Sequence, residues 1–162
     1  MTDNGALTAI DALQTRYIAA LDGRNMEGWL ATFSENPDAS YICTTAESEE
    51  AGLSLALILD DNYDRLRDRV TYVTTIWAGT FADYRTRHFI QRTACRPAQD
   101  NLYEVETNFM VAYTPVETGR TELFAAGMYF DRVVIDGGKA SFLAKKVVMD
   151  SSMVERFMAY PL

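Results

Sequence analysis

The second half of this chain is a run of long segments in which apolar residues recur at every second position, and few folds accommodate that pattern. Residues 102–114 carry it most clearly. Tyr103, Val105, Thr107, Phe109, Val111 and Tyr113 share one side, and Glu104, Glu106, Asn108, Met110 and Ala112 share the other. A period of two is that of a β-strand with one buried face. Residues 88–96, 122–135 and 140–149 read as further strands, the last two joined by Asp136-Gly137-Gly138, a strong hairpin turn. At about 10 to 14 residues most of these strands are long against a usual five or six. Long antiparallel strands coil, and a coiled sheet wrapped over helices makes a cone. Gly127, in mid-strand, is expected to mark a bend or bulge in that curve.

The helices come from the first half. Ile10, Leu13, Tyr17, Ile18 and Leu21 form one stripe at helical spacing over residues 6–21. Asp22-Gly23-Arg24-Asn25 breaks it, with Gly23 expected to supply the positive φ of a helix stop and Asn25 to cap the next helix. Met26, Trp29, Leu30 and Phe33 give that short helix its buried side. Residues 40–45 read as a strand, and residues 44–52, with Glu47, Glu49 and Glu50, as an exposed acidic loop. The apolar run 53–59 reads as a short buried strand. Asp60-Asp61-Asn62 then supplies negative charge and a cap to a helix over 61–77, whose core side is Tyr63, Leu66, Val70, Val73 and Trp77 and which Gly79 ends. Helices followed by consecutive long strands predict an α+β domain, with the helices packed on one face of a strongly curved, mainly antiparallel sheet. At 162 residues the chain is read as one domain, residues 1–162.

Composition narrows the function. A net charge of −8 repels phosphate backbones and argues against nucleic acid. No apolar run approaches the roughly 20 residues of a membrane span. The amino end lacks a basic segment followed by an apolar one, and two cysteines in 162 residues suit a reducing compartment, so a cytoplasmic location is expected. Metal binding is the clearest exclusion. Zinc and iron–sulfur sites take three or four closely spaced ligands, whereas Cys43 and Cys95 lie far apart. One histidine, His88, cannot build a facial triad of two histidines and a carboxylate. No phosphate loop, nucleophile elbow or dinucleotide fingerprint is present.

The remaining candidates each have a bland reading beside the chemical one. His88 can be a general base oriented by Asp22 within the cone, or a hydrogen-bonded edge or interface histidine. Asp22 can be a base or a turn residue. Glu104 and Glu106, beside Asn108, can be a carboxylate pair or, as alternation with Tyr103, Val105 and Thr107 favours, a solvated or subunit-facing surface. The basic pairs Arg85/Arg87 and Lys145/Lys146 suit either salt bridges across a subunit boundary, where charge sets register, or isolated surface charge. The tail over 151–162 is apolar (Met153, Val154, Phe157, Met158, Tyr160, Pro161, Leu162), unlike most chain ends. It is expected to dock on its own sheet or on a neighbour.

Together these pieces resemble the small (beta) subunit of aromatic-ring-hydroxylating, Rieske non-haem iron oxygenases. The resemblance rests on Tyr17-Ile18-Ala19-Ala20-Leu21-Asp22 with Trp29 and Phe33, and on Asp64-Arg65-Leu66-Arg67-Asp68-Arg69-Val70. Arg85-Thr86-Arg87-His88, Lys145-Lys146-Val147-Val148-Met149-Asp150 and Tyr160-Pro161-Leu162 complete it. Their order and spacing span nearly the whole chain. The helical opening alone is similar to the wider cystatin-like cone superfamily, shared with ketosteroid isomerase and scytalone dehydratase. Chain length and the acidic stretch Glu47 to Glu50 look most like the salicylate, anthranilate and terephthalate type.

The resemblance implies a non-catalytic subunit of an aromatic mono- or dioxygenase, holding no cofactor itself. Its partner would be a large subunit carrying the Rieske iron–sulfur cluster and the mononuclear iron, in an assembly of three large plus three small. A ferredoxin or reductase would deliver electrons to the complex. No catalytic residue carries over; Arg85, Arg87, His88, Lys145, Lys146, Phe157 and Tyr160 are the candidates for the subunit interface. The rival reading is a self-contained cone enzyme, an isomerase, cyclase or dehydratase using His88 and Asp22. It requires His88 to point into the cone within reach of an acid.

Overall fold

The amphipathic opening stripe becomes a 20-residue helix, α1 (Asp3–Asp22), in a computed structural model that describes residues 3–153 and 158–162. Phe157 lies outside the described residues. Helix α1 stops in a Schellman arrangement, the Asn25 N–H bonding the Ala20 carbonyl at 2.8 Å. The left-handed residue of that stop is Arg24 (φ 55°), not the glycine before it. At Gly23 the space is tight instead, since a Cβ there would stand 3.0 Å from the Ala19 carbonyl oxygen. Asn25 caps α2 (Met26–Leu30) by accepting from the Gly28 N–H, as its side chain predicts.

Strand β1 (Ser40–Thr45) runs into α3 (Ala46–Glu50), so the acidic stretch read as a loop is a short helix, capped by the Thr45 hydroxyl. The segment 53–59 also differs from expectation. Only Ile58–Asp60 forms a strand, β2, and Leu53, Leu55, Leu57 and Leu59 are exposed. An apolar run of that length carries no signal of its own for strand pairing, and here one leucine side after another lacks a partner layer. Asn62 caps α4 (Tyr63–Thr71), which continues through one π-helical turn, Tyr72–Ile76, before the stop at Gly79 (φ 73°).

The four long strands are β3 (Tyr84–Pro97), β4 (Leu102–Pro115), β5 (Glu122–Asp136) and β6 (Lys139–Met149). The sheet order is β2-β1-β6-β5-β4-β3, all antiparallel except the β1–β6 pair. Register shifts between Arg92 and Ala94, Val111 and Ala112, and Arg132 and Val133 bend three successive strand pairs and coil the sheet. No shift falls at Gly127. Its role is close approach, because a Cβ there would meet the Val148 carbonyl oxygen at 2.1 Å.

Helix α1 crosses the inner face of this sheet. Gln14 donates to the Thr107 hydroxyl at 2.6 Å, and Arg16 reaches the Ala140 carbonyl at 3.0 Å. Tyr17 meets Phe142 edge-to-face with centroids 5.4 Å apart, and Trp29 meets Phe33 at 5.0 Å. Such contacts add to the burial of large rings, which is the main favourable term in the core. The alternation read in residues 102–114 holds: Val105, Thr107, Phe109, Val111 and Tyr113 are all buried.

Candidate functional site

Asp22 is the last residue of α1, and β3 passes alongside it. The pairing of β3 with β4 sets His88 opposite Val111 with its ring turned inward, its side chain only 2% exposed. His88 Nδ1 lies 2.6 Å from Asp22 Oδ1, and the His88 backbone N–H donates to Oδ2 at 3.1 Å. The Thr86 hydroxyl donates to Oδ1 at 3.0 Å. Asp22 and His88, 66 apart in sequence, are thus locked by two hydrogen bonds, and Thr86 adds a third to the same carboxylate. Burial alone would raise the Asp22 carboxyl, but the bonds from the His88 ring and backbone, the charge of His88 and the Thr86 hydroxyl hold it below its usual range.

This is the orientation a histidine base requires, with Nδ1 fixed by a carboxylate and Nε2 free to act. Nε2 is buried and finds no hydrogen-bond partner among the described residues. What the site lacks is room. The cavity beside His88 has a volume of about 20 Å³, space for roughly one water, whereas small-molecule pockets run to about 300 Å³ or more. It is closed by Met158, Tyr160, Pro161 and Leu162 of the C-terminal segment packed against Leu21, Val111 and Phe124. The tail therefore docks on its own chain. Leu162 donates its N–H to the Tyr41 hydroxyl at 2.9 Å, and its carbonyl accepts from Tyr17 at 2.6 Å.

The other candidates separate by strand alternation. Lys145 is turned inward and wholly buried, bonding both carboxylate oxygens of Asp131, its cross-strand neighbour, at 2.9 Å. Its ammonium lies 3.8 Å from the ring centre of Tyr129, 4.4 Å from that of Phe142 and 4.5 Å from that of Tyr17. Burial pushes the Asp131 carboxyl up and the Lys145 ammonium down, and their mutual attraction opposes both. A subunit-boundary ion pair was expected of Lys145; an internal one is found, because the alternation of β6 faces it to the core. His88, also placed among the interface candidates, is likewise internal.

Arg85, Arg87 and Lys146 remain on the outer side, Lys146 pairing with Glu49, and Tyr160 is half-buried. Glu106 pairs with Arg96 on the surface. Sequence reading missed Asp131 and Arg24. Asp131 stood at a core position between Tyr129 and Val133, an alternation break that signals a buried partner. Arg24 carried no signal beyond its place in a turn.

Among the described residues no group of three or more His, Cys, Asp or Glu is placed to hold a metal ion. The outer face of the sheet is more suggestive of a partner. Phe89, Met110 and Phe130 are exposed there, Phe89 and Met110 directly paired across β3 and β4.

Comparisons with known proteins agree with this arrangement. The chain is 31% identical over 150 residues to the anthranilate 1,2-dioxygenase small subunit of Burkholderia cepacia, covering 93% of this chain and 90% of that one. It is 29% identical to subunit beta 2 of the terminal oxygenase component of terephthalate 1,2-dioxygenase from Comamonas sp., covering 94% and 96%. Among solved structures, the beta subunit assigned to an aromatic-ring-hydroxylating dioxygenase of Novosphingobium aromaticivorans superposes with a TM-score of 0.81 at 26% identity, over 93% of each chain. The family model described as "Ring hydroxylating beta subunit" matches residues 16–156. The chain belongs to the ring-hydroxylating beta-subunit family, and its α+β cone is the fold of that family.

Proposed function

We propose that this chain is the structural small subunit of a multicomponent aromatic-ring dioxygenase, assembling and stabilising large subunits that carry the chemistry. The observation that carries this reading is the contrast between the two faces of the sheet. The inner face is a filled core with room for about one water beside His88. The outer face presents large apolar side chains, Phe89, Met110 and Phe130, of the kind that mark protein contacts when they gather on one surface. Arg85 and Arg87 alternate with Phe89 along the same side of β3 and give that face a charge pattern to be matched.

The partner in this reading is the large oxygenase subunit, three large with three small, holding the Rieske cluster and the mononuclear iron and reduced by a ferredoxin or reductase. The complex works in the cytoplasm, and among the described residues no helix is long and apolar enough to cross a membrane. The reaction class is hydroxylation of an aromatic ring. A self-contained isomerase or dehydratase has the His88–Asp22 pair in its favour, but the tail fills the cone above that pair and leaves room for about one water.

The test is reconstitution. Large subunit expressed with this chain is expected to be soluble and to turn over an aromatic substrate, and large subunit expressed alone to lose most of both. Equal activity without this chain would overturn the reading.

A further inference from the structure

Arg24 stands in a conformation the backbone would rather give to glycine. A non-glycine residue at φ 55° costs roughly 1–2 kcal/mol, and the glycine beside it is not used there. Local rules are broken in this way where a side chain has a task. The guanidinium of Arg24 lies over the Tyr84 ring at 4.7 Å and near the Tyr160 ring at 5.6 Å. Nη1 is held by Asp83. Nη2 is buried without a hydrogen-bond partner.

A second orphan lines the same cavity. His88 Nε2 is buried and unpartnered while Asp22 fixes the opposite edge of the ring. An unmade bond on a buried polar atom costs about 1–3 kcal/mol, so two around one small cavity call for an occupant. The lid over them is the ring of Tyr160, edge-on to Tyr84 at 6.2 Å and to Phe81 at 6.0 Å. The segment behind it is anchored elsewhere, by the bonds of Leu162 to Tyr41 and Tyr17. Tyr160 is only half-buried, whereas Ala159, Pro161 and Leu162 beside it are buried, so its ring is the exposed part of the closure.

We propose that Tyr160 is a displaceable plug and that the site beneath it, between Arg24 and His88, takes a small aromatic carboxylate. The ligand ring replaces the Tyr160 ring against Tyr84 and Phe124. Its carboxylate accepts from Arg24 Nη2, with His88 Nε2 donating to the second oxygen when the imidazole is protonated. Arginine suits such a ligand because its planar fork matches a carboxylate. This site lies inside the cone, apart from the outer face assigned to assembly, so either proposal can fail alone.

His88 is the one histidine of the chain, so its imidazole signals in NMR report this site without ambiguity. Benzoate titrated into full-length Tyr160→Ala is expected to shift those signals, with Kd at least tenfold tighter than in the unmodified chain. Arg24→Gly suits the left-handed backbone and keeps the fold; added to Tyr160→Ala it is expected to remove at least tenfold of the affinity. Benzyl alcohol, with the ring but no charge, is expected to bind at least tenfold more weakly than benzoate. The unmodified chain provides a second measurement that needs no Tyr160 variant, because millimolar benzoate should produce the same shift there and Arg24→Gly should abolish it. No imidazole shift with benzoate, affinity unchanged by Arg24→Gly, or benzyl alcohol binding as tightly would each overturn the proposal.

Discussion

Lys145 and Asp131 show how one pair of side chains can fasten three elements. Their side chains are 1% and 0% exposed, and the ammonium also touches the Tyr17 ring of α1. Removing one partner from a buried pair leaves an uncompensated charge and costs about 3–5 kcal/mol, whereas replacing both by apolar groups of similar size is often near neutral. Lys145→Met is therefore expected to lose stability in that range by urea unfolding, and Lys145→Met with Asp131→Leu to regain most of it. Asp22 gives a pH-dependent counterpart. Its carboxyl is held below the usual range in the folded chain, so its contribution is complete above the unfolded value of about 3.9 and is lost as pH falls through the folded value. Asp22→Asn is expected to cost about 1–3 kcal/mol at pH 7, by stranding buried donors. In urea unfolding repeated at descending pH, that deficit should hold to about pH 5 and shrink below about pH 4; a deficit that grows with acid would contradict the assignment.

At the scale of elements, strand spacing decides what can be substituted. Gly127→Ala would place a methyl group 2.1 Å from the Val148 carbonyl oxygen, which is main chain and has no rotamer to yield. A loss of about 3 kcal/mol is expected from such overpacking, read as a lower urea midpoint. The long strands were legible because period-two alternation persisted over enough residues to exclude a helix, as Val105 to Tyr113 illustrates. The segment 53–59 was not, because a short apolar run looks alike in a strand, a buried helix turn or an exposed loop. The helix at Ala46–Glu50 was masked by its glutamates, whose exposure was read correctly and whose conformation was not. The π-helical turn at Tyr72–Ile76 depends on a one-residue slip in hydrogen bonding that leaves little trace in composition. The pairing of His88 with Asp22 was named as a possibility from residue type alone. Its reality required β3 to run back beside the end of α1, a tertiary fact that no local spacing encodes. The tail was expected to dock, but closure of the cone by Tyr160 and Pro161 emerges only when both ends of the chain meet.

The whole molecule is a cone filled inside by aromatic rings, with exposed apolar side chains set among charges on its outer sheet face. That inversion of the usual division of labour between a pocket and a surface is what the assembly reading explains. Phe89 on β3 is exposed and apolar, follows the outward-facing arginines and pairs across to Met110 of β4. A charge placed there would be solvated in the free chain and buried at cost in a complex. The most direct measurement is the native mass of the complex recovered when this chain is co-expressed with the large oxygenase subunit. Equal numbers of large and small subunits, three of each, are predicted for the unmodified chain, with Phe89→Asp dissociating the complex while the free subunit stays folded. Recovery of this chain alone, with no large subunit attached, would contradict the account.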